Sequence, residues 1–327
     1  MGDWRVTGQH HVVRMLQGTI DRKRIAHAYL LVGPPGCGKK ATARNFAQAL
    51  NCERSDPPCH ECRSCTRIAS GQDFNVREID VEEERQQIQI DQVREIEHRV
   101  SLKTTDSNYK ITIVPRAELF SIEAANAFLK ILEEPPPNSL LILAARARES
   151  VPETLASRCI QIRMRMPTQK TIADLLSDGK PIEKSDRELI LDYAEGRPNW
   201  AMEMASNPDM LANFKARLIA TADRLGGDTP SKLGLAENIG SQRRAVLEEL
   251  GLLARYHGVV GRAQAIEDAA DASDPERTRA FYATWGANLI RIRAGIDALS
   301  ANTMLASTLD DLFLDLDEIS GVGPIAQ

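Results

Sequence analysis

The sequence predicts an α/β domain with a doubly wound parallel sheet, followed by two helical domains. A glycine-rich loop, Gly33 to Lys40, lies between an apolar run and a helical pattern. Apolar runs and helical patterns then alternate up to residue 166, which is typical of parallel strands buried on both faces. From residue 167 onward helical patterns continue without such runs. We therefore expect domains at residues 1–166, 167–207 and 208–327.

The elements of the first domain can be placed in order. We expect strands at residues 28–32, 76–79, 110–114 and 140–145, and helices at residues 41–50, 90–100 and 121–134. In the last of these helices the following apolar residues are predicted to share the face that packs on the sheet: Ile122, Ala125, Leu129 and Leu132.

The glycine-rich loop is typical of a phosphate-binding loop that lacks its metal ligand. In the pattern G-x-x-x-x-G-K-[ST], backbone N–H groups wrap a polyphosphate, the lysine binds its outer charge and the last hydroxyl ligates magnesium. The candidate phosphate-binding residues are Gly33, Gly36, Gly38 and Lys39. Lys40 puts an ammonium at the hydroxyl position, so we expect no magnesium site. Nucleotide binding stays open, because a vestigial loop would contain the same residues.

A second part of an ATPase site is missing from the strand predicted at residues 110–114. P-loop ATPases use carboxylates after such a strand to bind the metal and to orient water. This strand ends in Pro115 and Arg116, which can do neither. The other acidic pair, Glu133 and Glu134, closes a predicted helix before three prolines, so we interpret it as a helix end.

Four of the six cysteines form a candidate zinc site. Cys52, Cys59, Cys62 and Cys65 include two consecutive C-x-x-C steps, whose short turns allow the sulfurs to converge on one ion. The charges nearby are mixed in sign, which favours a structural or interaction role over nucleic-acid binding. We expect Cys37 and Cys159 to pack as small apolar residues.

Charge and hydropathy exclude several classes of function. The net charge of −5 indicates no basic field of the kind that a free-standing nucleic-acid binder carries. The first residues contain no apolar signal segment, and the apolar run at residues 140–145 is too short to span a bilayer. We therefore expect a soluble, cytoplasmic protein with no membrane partner.

Several blocks in one order carry a resemblance to a known family. They are the glycine-rich loop, the cysteine cluster with Gly71–Phe74 after it, Ile88–Arg94, Ala124–Pro136, Ser157–Cys159 and a C-terminal run from Asn302 to Leu314. The chain resembles the delta-prime subunits of the bacterial DNA polymerase III clamp loader, which belong to the AAA+ superfamily. The resemblance is strongest over residues 1–166.

The resemblance implies a fold and a function. The three domains would be an AAA+ domain with a zinc insertion, a small helical lid and a helical collar. The chain would be a rigid stator without its own ATP hydrolysis, and Arg158 would act as an arginine finger on the ATP of a neighbouring motor subunit. Its other partners would be the clamp-opening subunit and, through the assembly, the sliding clamp and primed DNA.

Alternative functions have their own signatures. The motor subunits of the same loader should have Ser or Thr at Lys40, Asp-Glu at Pro115 and Arg116, and a polar residue near Ala145, none of which this chain has. Another P-loop ATPase of replication or repair would turn over ATP alone, and a zinc-dependent DNA-binding regulator would bind DNA alone. Without the family context, Arg158 reads as half of a surface ion pair.

Overall fold

The computed structural model describes residues 2–82, 85–101, 109–179, 181–225, 243–270 and 275–300, and Leu312. The chain divides into two compact units, which comprise residues 1–181 with 194–202 and residues 182–193 with 203–327. The run from Asn302 to Leu314 lies outside the described residues, except for Leu312. The division into three domains stays a prediction.

The first unit is built on a parallel sheet of five strands. These are β1 (Ala28–Val32), β2 (Val76–Glu78), β3 (Lys110–Val114), β4 (Ser139–Ala145) and β5 (Ile160–Arg163). Their order is β2-β3-β4-β1-β5, and all pairings are parallel. At the carboxyl end of β1, Val32 pairs with Ala145 and with Arg163. The predicted parallel sheet is confirmed, and its order brings the ends of β1, β4 and β5 together.

Helices cover both faces of this sheet. They are α1 (His10–Asp21), α2 (Lys39–Asn51), α3 (Arg63–Ala69), α4 (Ile90–Ser101), α5 (Ile122–Glu133), α6 (Glu153–Ala156) and α7 (Gln169–Ser177). Successive side chains of a strand point to opposite faces, so Leu30 belongs to one core cluster and Leu31 to another. The first cluster contains residues of α4 and α5, and the second contains residues of α1 and α2. The doubly wound arrangement is therefore confirmed.

The predicted buried face of α5 was partly wrong. Ile122 is 78% exposed, and the buried residues are Ala124, Ala125, Phe128, Ile131 and Leu132. The buried arc is centred on Phe128 and is rotated from the predicted arc by about 80°, a little less than one residue. Phe128 and Ile131 lie in the core cluster with residues of β1, β3 and β4, and the first residue of the helix lies outside it.

The rest of the described chain is helical. It contains α8 (Lys184–Ala194), α9 (Pro198–Ser206), α10 (Pro208–Leu225), α11 (Arg243–Ala270) and α12 (Pro275–Ser300). In the second unit, the rings of Tyr193 and Phe214 pack edge to face with centroids 5.4 Å apart. Trp285 of α12 donates a hydrogen bond of 2.6 Å to the carbonyl of His257 in α11. Among the described helices, none has the length and hydropathy needed to cross a membrane.

Candidate functional site

The phosphate loop lies at the carboxyl end of β1, directly before α2. Gly36 and Gly38 have φ angles of 84° and 96°, which glycine adopts without steric cost. Gly38 is the N-cap of α2, so the positive end of the helix dipole faces the loop. The Gly33 N–H donates to the Ala145 carbonyl at 3.1 Å, which joins the loop to the end of β4. The strand, loop and helix that the motif requires are all present.

The Lys39 ammonium contacts the carbonyls of its own loop. Its Nζ donates to Gly33 O at 2.5 Å and to Pro34 O at 2.8 Å. Burial lowers the pKa of Lys39, and the Cys37 thiol and the Glu118 carboxylate act in the opposite direction. A phosphate that enters the loop must therefore compete with these two carbonyls for the ammonium.

An ion pair lies at the position where a P-loop normally has its magnesium-binding hydroxyl. The Lys40 Nζ is 2.7 Å from an oxygen of Glu78, at the end of β2. Glu78 also accepts two hydrogen bonds from Arg44, one turn further along α2. Burial acts to raise the pKa of Glu78, but the bonds from Arg44 and Lys40 outweigh it and lower that pKa. The Glu78 carboxylate is thus shared by Lys40 and Arg44, and the Lys40 side chain stays 48% exposed.

The residues after β3 provide no acidic pair. Pro115 follows the strand directly, and the Arg116 Nε donates to Asp80 Oδ1 at 2.7 Å. At the end of the neighbouring β4, Ala145 is fully buried. It has a methyl group at the position where a motor subunit should have a polar side chain. Neither strand end can therefore ligate magnesium or orient water through the residues that the motif uses.

A carboxylate that the sequence analysis missed lies beside the loop. Glu118 belongs to a short 3-10 turn after β3, and it pairs with Arg146 at 3.4 Å. One of its oxygens is buried and accepts no hydrogen bond from the described residues. Its charge also acts on the pKa of Lys39. Glu118 belongs to no recognised motif, so the sequence pattern did not indicate it. The turn after β3 places it near Lys39.

Arg197 covers part of the loop, in the same compact unit. A Cβ added to Gly36 would overlap with the Arg197 Cγ, so the aliphatic part of Arg197 packs against the Gly36 backbone. Arg197 Nε donates to the Ala194 carbonyl at 2.9 Å, and its guanidinium lies 5.2 Å from the Trp200 ring centroid. This side chain restricts the space above the phosphate-binding amides.

The four predicted cysteine ligands converge. The sulfurs of Cys52, Cys59, Cys62 and Cys65 all lie within 4.8 Å of one another. Zinc–sulfur bonds of about 2.3 Å in a tetrahedron place the sulfurs roughly 3.8 Å apart. The Cys59 and Cys65 sulfurs are 3.9 Å apart. The cluster therefore fits a metal ion such as zinc.

Backbone N–H groups favour the thiolate at Cys59. The Cys62 N–H lies 3.3 Å from the Cys59 sulfur, and the Cys65 N–H lies 3.4 Å from the Cys62 sulfur. Hydrogen bonds from the backbone N–H groups of Glu61 and Cys62 lower the pKa of Cys59 to about 6, whereas burial raises the pKa of Cys52 and of Cys65. The cysteines outside the cluster pack in apolar surroundings as expected, since Cys37 is buried and burial raises the pKa of Cys159 to about 12.

Arg158 lies in the turn between α6 and β5. Its Nη2 is 2.6 Å from an oxygen of Glu133, and its side chain is 39% exposed. Glu133 is the last residue of α5, so the interpretation of this acidic pair as a helix end is confirmed. The surface ion pair that the sequence analysis gave as the alternative interpretation of Arg158 is present, and its partner Glu133 was not predicted. A role for Arg158 in a neighbour's site stays a prediction.

Comparisons with known proteins agree with this geometry. A family model described as "DNA polymerase III, delta subunit" matches residues 8–168. The tau subunit of DNA polymerase III from Bacillus subtilis is 33% identical over 67% of this chain and 39% of its own length. The delta-prime subunit from Pseudomonas aeruginosa is 33% identical over 56% of this chain and 57% of its own. This chain therefore spans less than two thirds of the length of either relative.

One solved structure aligns with almost the whole chain. A gamma-subunit-related protein of Thermotoga maritima covers 91% of this chain and 97% of its own, with 17% identity and a TM-score of 0.49. The parallel sheet and the glycine-rich loop before α2 define the first unit as a P-loop α/β domain. Over residues 8–168 this chain is similar in sequence to subunits of DNA polymerase III.

Proposed function

We propose that this chain is a stator subunit of a DNA polymerase III clamp loader. It presents Arg158 to ATP bound by a neighbouring motor subunit, braces the subunit that opens the sliding clamp, and does not hydrolyse ATP itself. The clamp and primed DNA are reached through the assembly, in the cytoplasm. The relatives support the complex, because they are themselves subunits of DNA polymerase III.

The ion pair of Lys40 with Glu78 carries the stator assignment. Phosphoryl transfer in P-loop proteins depends on magnesium bound by the loop hydroxyl and on a carboxylate after the adjacent strand. In this chain Lys40 takes the place of the loop hydroxyl, and its ammonium lies 2.7 Å from Glu78. The strand position is Pro115, and Arg116 is paired with Asp80. A motor subunit of the same loader would need all of these groups to be different.

The state of the phosphate loop supports weak or absent nucleotide binding. The Lys39 ammonium is bonded to two loop carbonyls, and Arg197 packs on Gly36. A nucleotide would have to displace the hydrogen bonds of the Lys39 ammonium and move the side chain of Arg197. Both rearrangements reduce its affinity by their own free-energy cost.

The roles of the metal and of the helical segments complete the proposal. We assign zinc to the four cysteines as a structural staple, because the surrounding charges include both Arg54 and Glu61, which pair at 2.8 Å. Residues 167–207 would form a lid, and residues 208–327 would form the collar that packs with the other subunits.

ATP turnover by the pure chain tests the stator assignment. We expect phosphate release at the level of a buffer blank, with or without magnesium. Lys39→Ala serves as the matched control, since it removes the lysine that any P-loop hydrolysis requires. Steady magnesium-dependent release that Lys39→Ala abolishes would identify a motor subunit or another P-loop ATPase instead.

Reconstitution tests the place in the complex. Clamp loading onto primed DNA should require this chain together with the motor and clamp-opening subunits. If the chain fails to assemble with them, the clamp-loader function is wrong. Tight, salt-dependent DNA binding by the chain alone would indicate the DNA-binding alternative.

A further inference from the structure

The backbone of Arg158 is anchored on both sides. The Ser157 N–H donates to the Glu153 carbonyl at 2.9 Å, and the Arg158 N–H donates to the Leu155 carbonyl at 3.2 Å. Leu155 is fully buried in the core cluster that contains residues of α5, and Cys159 packs against that cluster. The Cα of Arg158 therefore has little freedom, so side-chain contacts decide where its guanidinium points.

Two contacts orient this guanidinium. Arg158 Nη1 donates to the Thr154 carbonyl at 2.9 Å, and Nη2 lies 2.6 Å from Glu133 Oε1. A guanidinium has five N–H donors in one plane, so these contacts use two of them. A phosphate group can therefore bind the same guanidinium while Glu133 stays in place.

Glu133 is the last residue of α5, and this position favours an ion pair with Arg158. The C-terminal end of a helix carries partial negative charge, so a carboxylate on the last residue is unfavourable without a nearby cation. Lys130, one turn earlier, is already paired with Glu97 of α4 at 2.7 Å. The guanidinium of Arg158 therefore offsets the Glu133 carboxylate at this helix end.

We propose that Glu133 is a positioning residue for Arg158, which holds the guanidinium in the orientation that meets the phosphates of a neighbouring subunit's nucleotide. This inference rests on the proposed function of Arg158. The competing view is an incidental surface pair: the two side chains are 39% and 52% exposed, and pairs of that kind add little to stability. The two views differ in their effect on hydrolysis rather than on folding.

The test uses the reconstituted clamp loader in which the other ATP sites are silenced through their own phosphate-loop lysines. Single-turnover ATP hydrolysis is measured at the site that faces this chain. Glu133→Gln keeps the size and one acceptor but removes the charge. Glu134→Gln is the matched control, since it removes the adjacent carboxylate, which does not pair with Arg158.

We expect Glu133→Gln to slow hydrolysis by between about ten- and a hundredfold, with little change in the ATP concentration for half-maximal rate. Glu133→Asp should recover part of the rate, and Glu134→Gln should leave it unchanged. Arg158→Ala should slow it by roughly a thousandfold, and adding Glu133→Gln to that variant should cause no further loss.

Each other outcome has a definite meaning. An unchanged rate in Glu133→Gln, or a loss that adds to that of Arg158→Ala, would refute the positioning role. A faster rate would show that Glu133 holds the guanidinium away from the nucleotide, which also refutes it. An unchanged rate in Arg158→Ala would instead refute the arginine-finger function itself. Equal urea unfolding curves for Glu133→Gln and Glu134→Gln exclude a folding defect as the cause.

Discussion

Removal of the metal should release the N-terminal segment as well as the cysteine loop. Gly2 packs against the Pro57–Pro58 backbone, and His60 Nε2 lies 2.5 Å from the Asp3 carbonyl oxygen. The next residue, Trp4, is 4% exposed, and its ring lies 6.1 Å from that of Phe46. Chelation should therefore free the loop first and then expose Trp4.

The expected loss of stability follows from these contacts. Exposure of Trp4 removes about 3 kcal/mol of apolar burial. The Cys62 sulfur caps α3 by accepting from the Cys65 N–H, and loss of such a cap costs about 1 kcal/mol. At about 2–4 °C per kcal/mol for a unit of this size, Tm should fall by roughly 8–16 °C. The sheet should persist, because its core clusters contain none of the four ligands and the cluster that includes Trp4 keeps its strand residues.

The assay combines metal analysis, thermal melting and fluorescence. Trp200→Phe and Trp285→Phe leave Trp4 as the remaining tryptophan of the three in the chain, so a red shift on chelation reports on it directly. Cys159→Ser is the control, since that residue lies outside the cluster. Less than about half an equivalent of zinc, with all four thiols freely titratable, would refute the zinc site.

The remaining predictions concern three other positions. Arg158→Ala should change the free energy of unfolding, measured in urea, by at most about 1 kcal/mol. The same variant should slow ATP hydrolysis by the neighbouring subunit roughly a thousandfold in single-turnover measurements. A loss of unfolding free energy comparable to the loss of transition-state stabilisation would mean a structural role. Lys40→Ser restores a loop hydroxyl, yet the pure chain should still not hydrolyse ATP, because Pro115 and Arg116 remain; magnesium-dependent turnover would contradict this. Burial lowers the pKa of His257 to about 4, so urea titrations should show the second unit losing on the order of 3 kcal/mol between pH 6.5 and 4, as the unfolded state gains a proton. His257→Phe should abolish that dependence, and an unchanged pH profile would show that the ring is not buried in the neutral form.

Local patterns account for the local geometry that the sequence predicted correctly. Gly36 and Gly38 adopt positive φ angles within a few residues of each other, and a glycine spacing encodes that backbone geometry directly. The two C-x-x-C steps similarly constrain the cysteine sulfurs through short turns. In the same way, Pro115 and Arg116 could be read as the end of a buried strand from the apolar run before them.

Long-range packing decided the rest. The pairing of Lys40 with Glu78 depends on β2 ending beside α2, and the pairing of Arg158 with Glu133 depends on α6 lying against the end of α5. The placement of Glu118 beside Lys39 depends on the 3-10 turn after β3, which no sequence motif predicts.

The sequence by itself determined the strand–loop–helix unit, the cysteine cluster and the replacement of the residues that bind magnesium in other P-loop proteins, since each depends on a few consecutive residues. Only the tertiary structure decided which charged side chains pair, as Lys40 does with Glu78 and Arg158 with Glu133. It also decided which face of α5 is buried. Those outcomes depend on the order of the strands and on the competition of side chains for the same space. Such competition joins residues that are distant in the chain, so no local pattern records it.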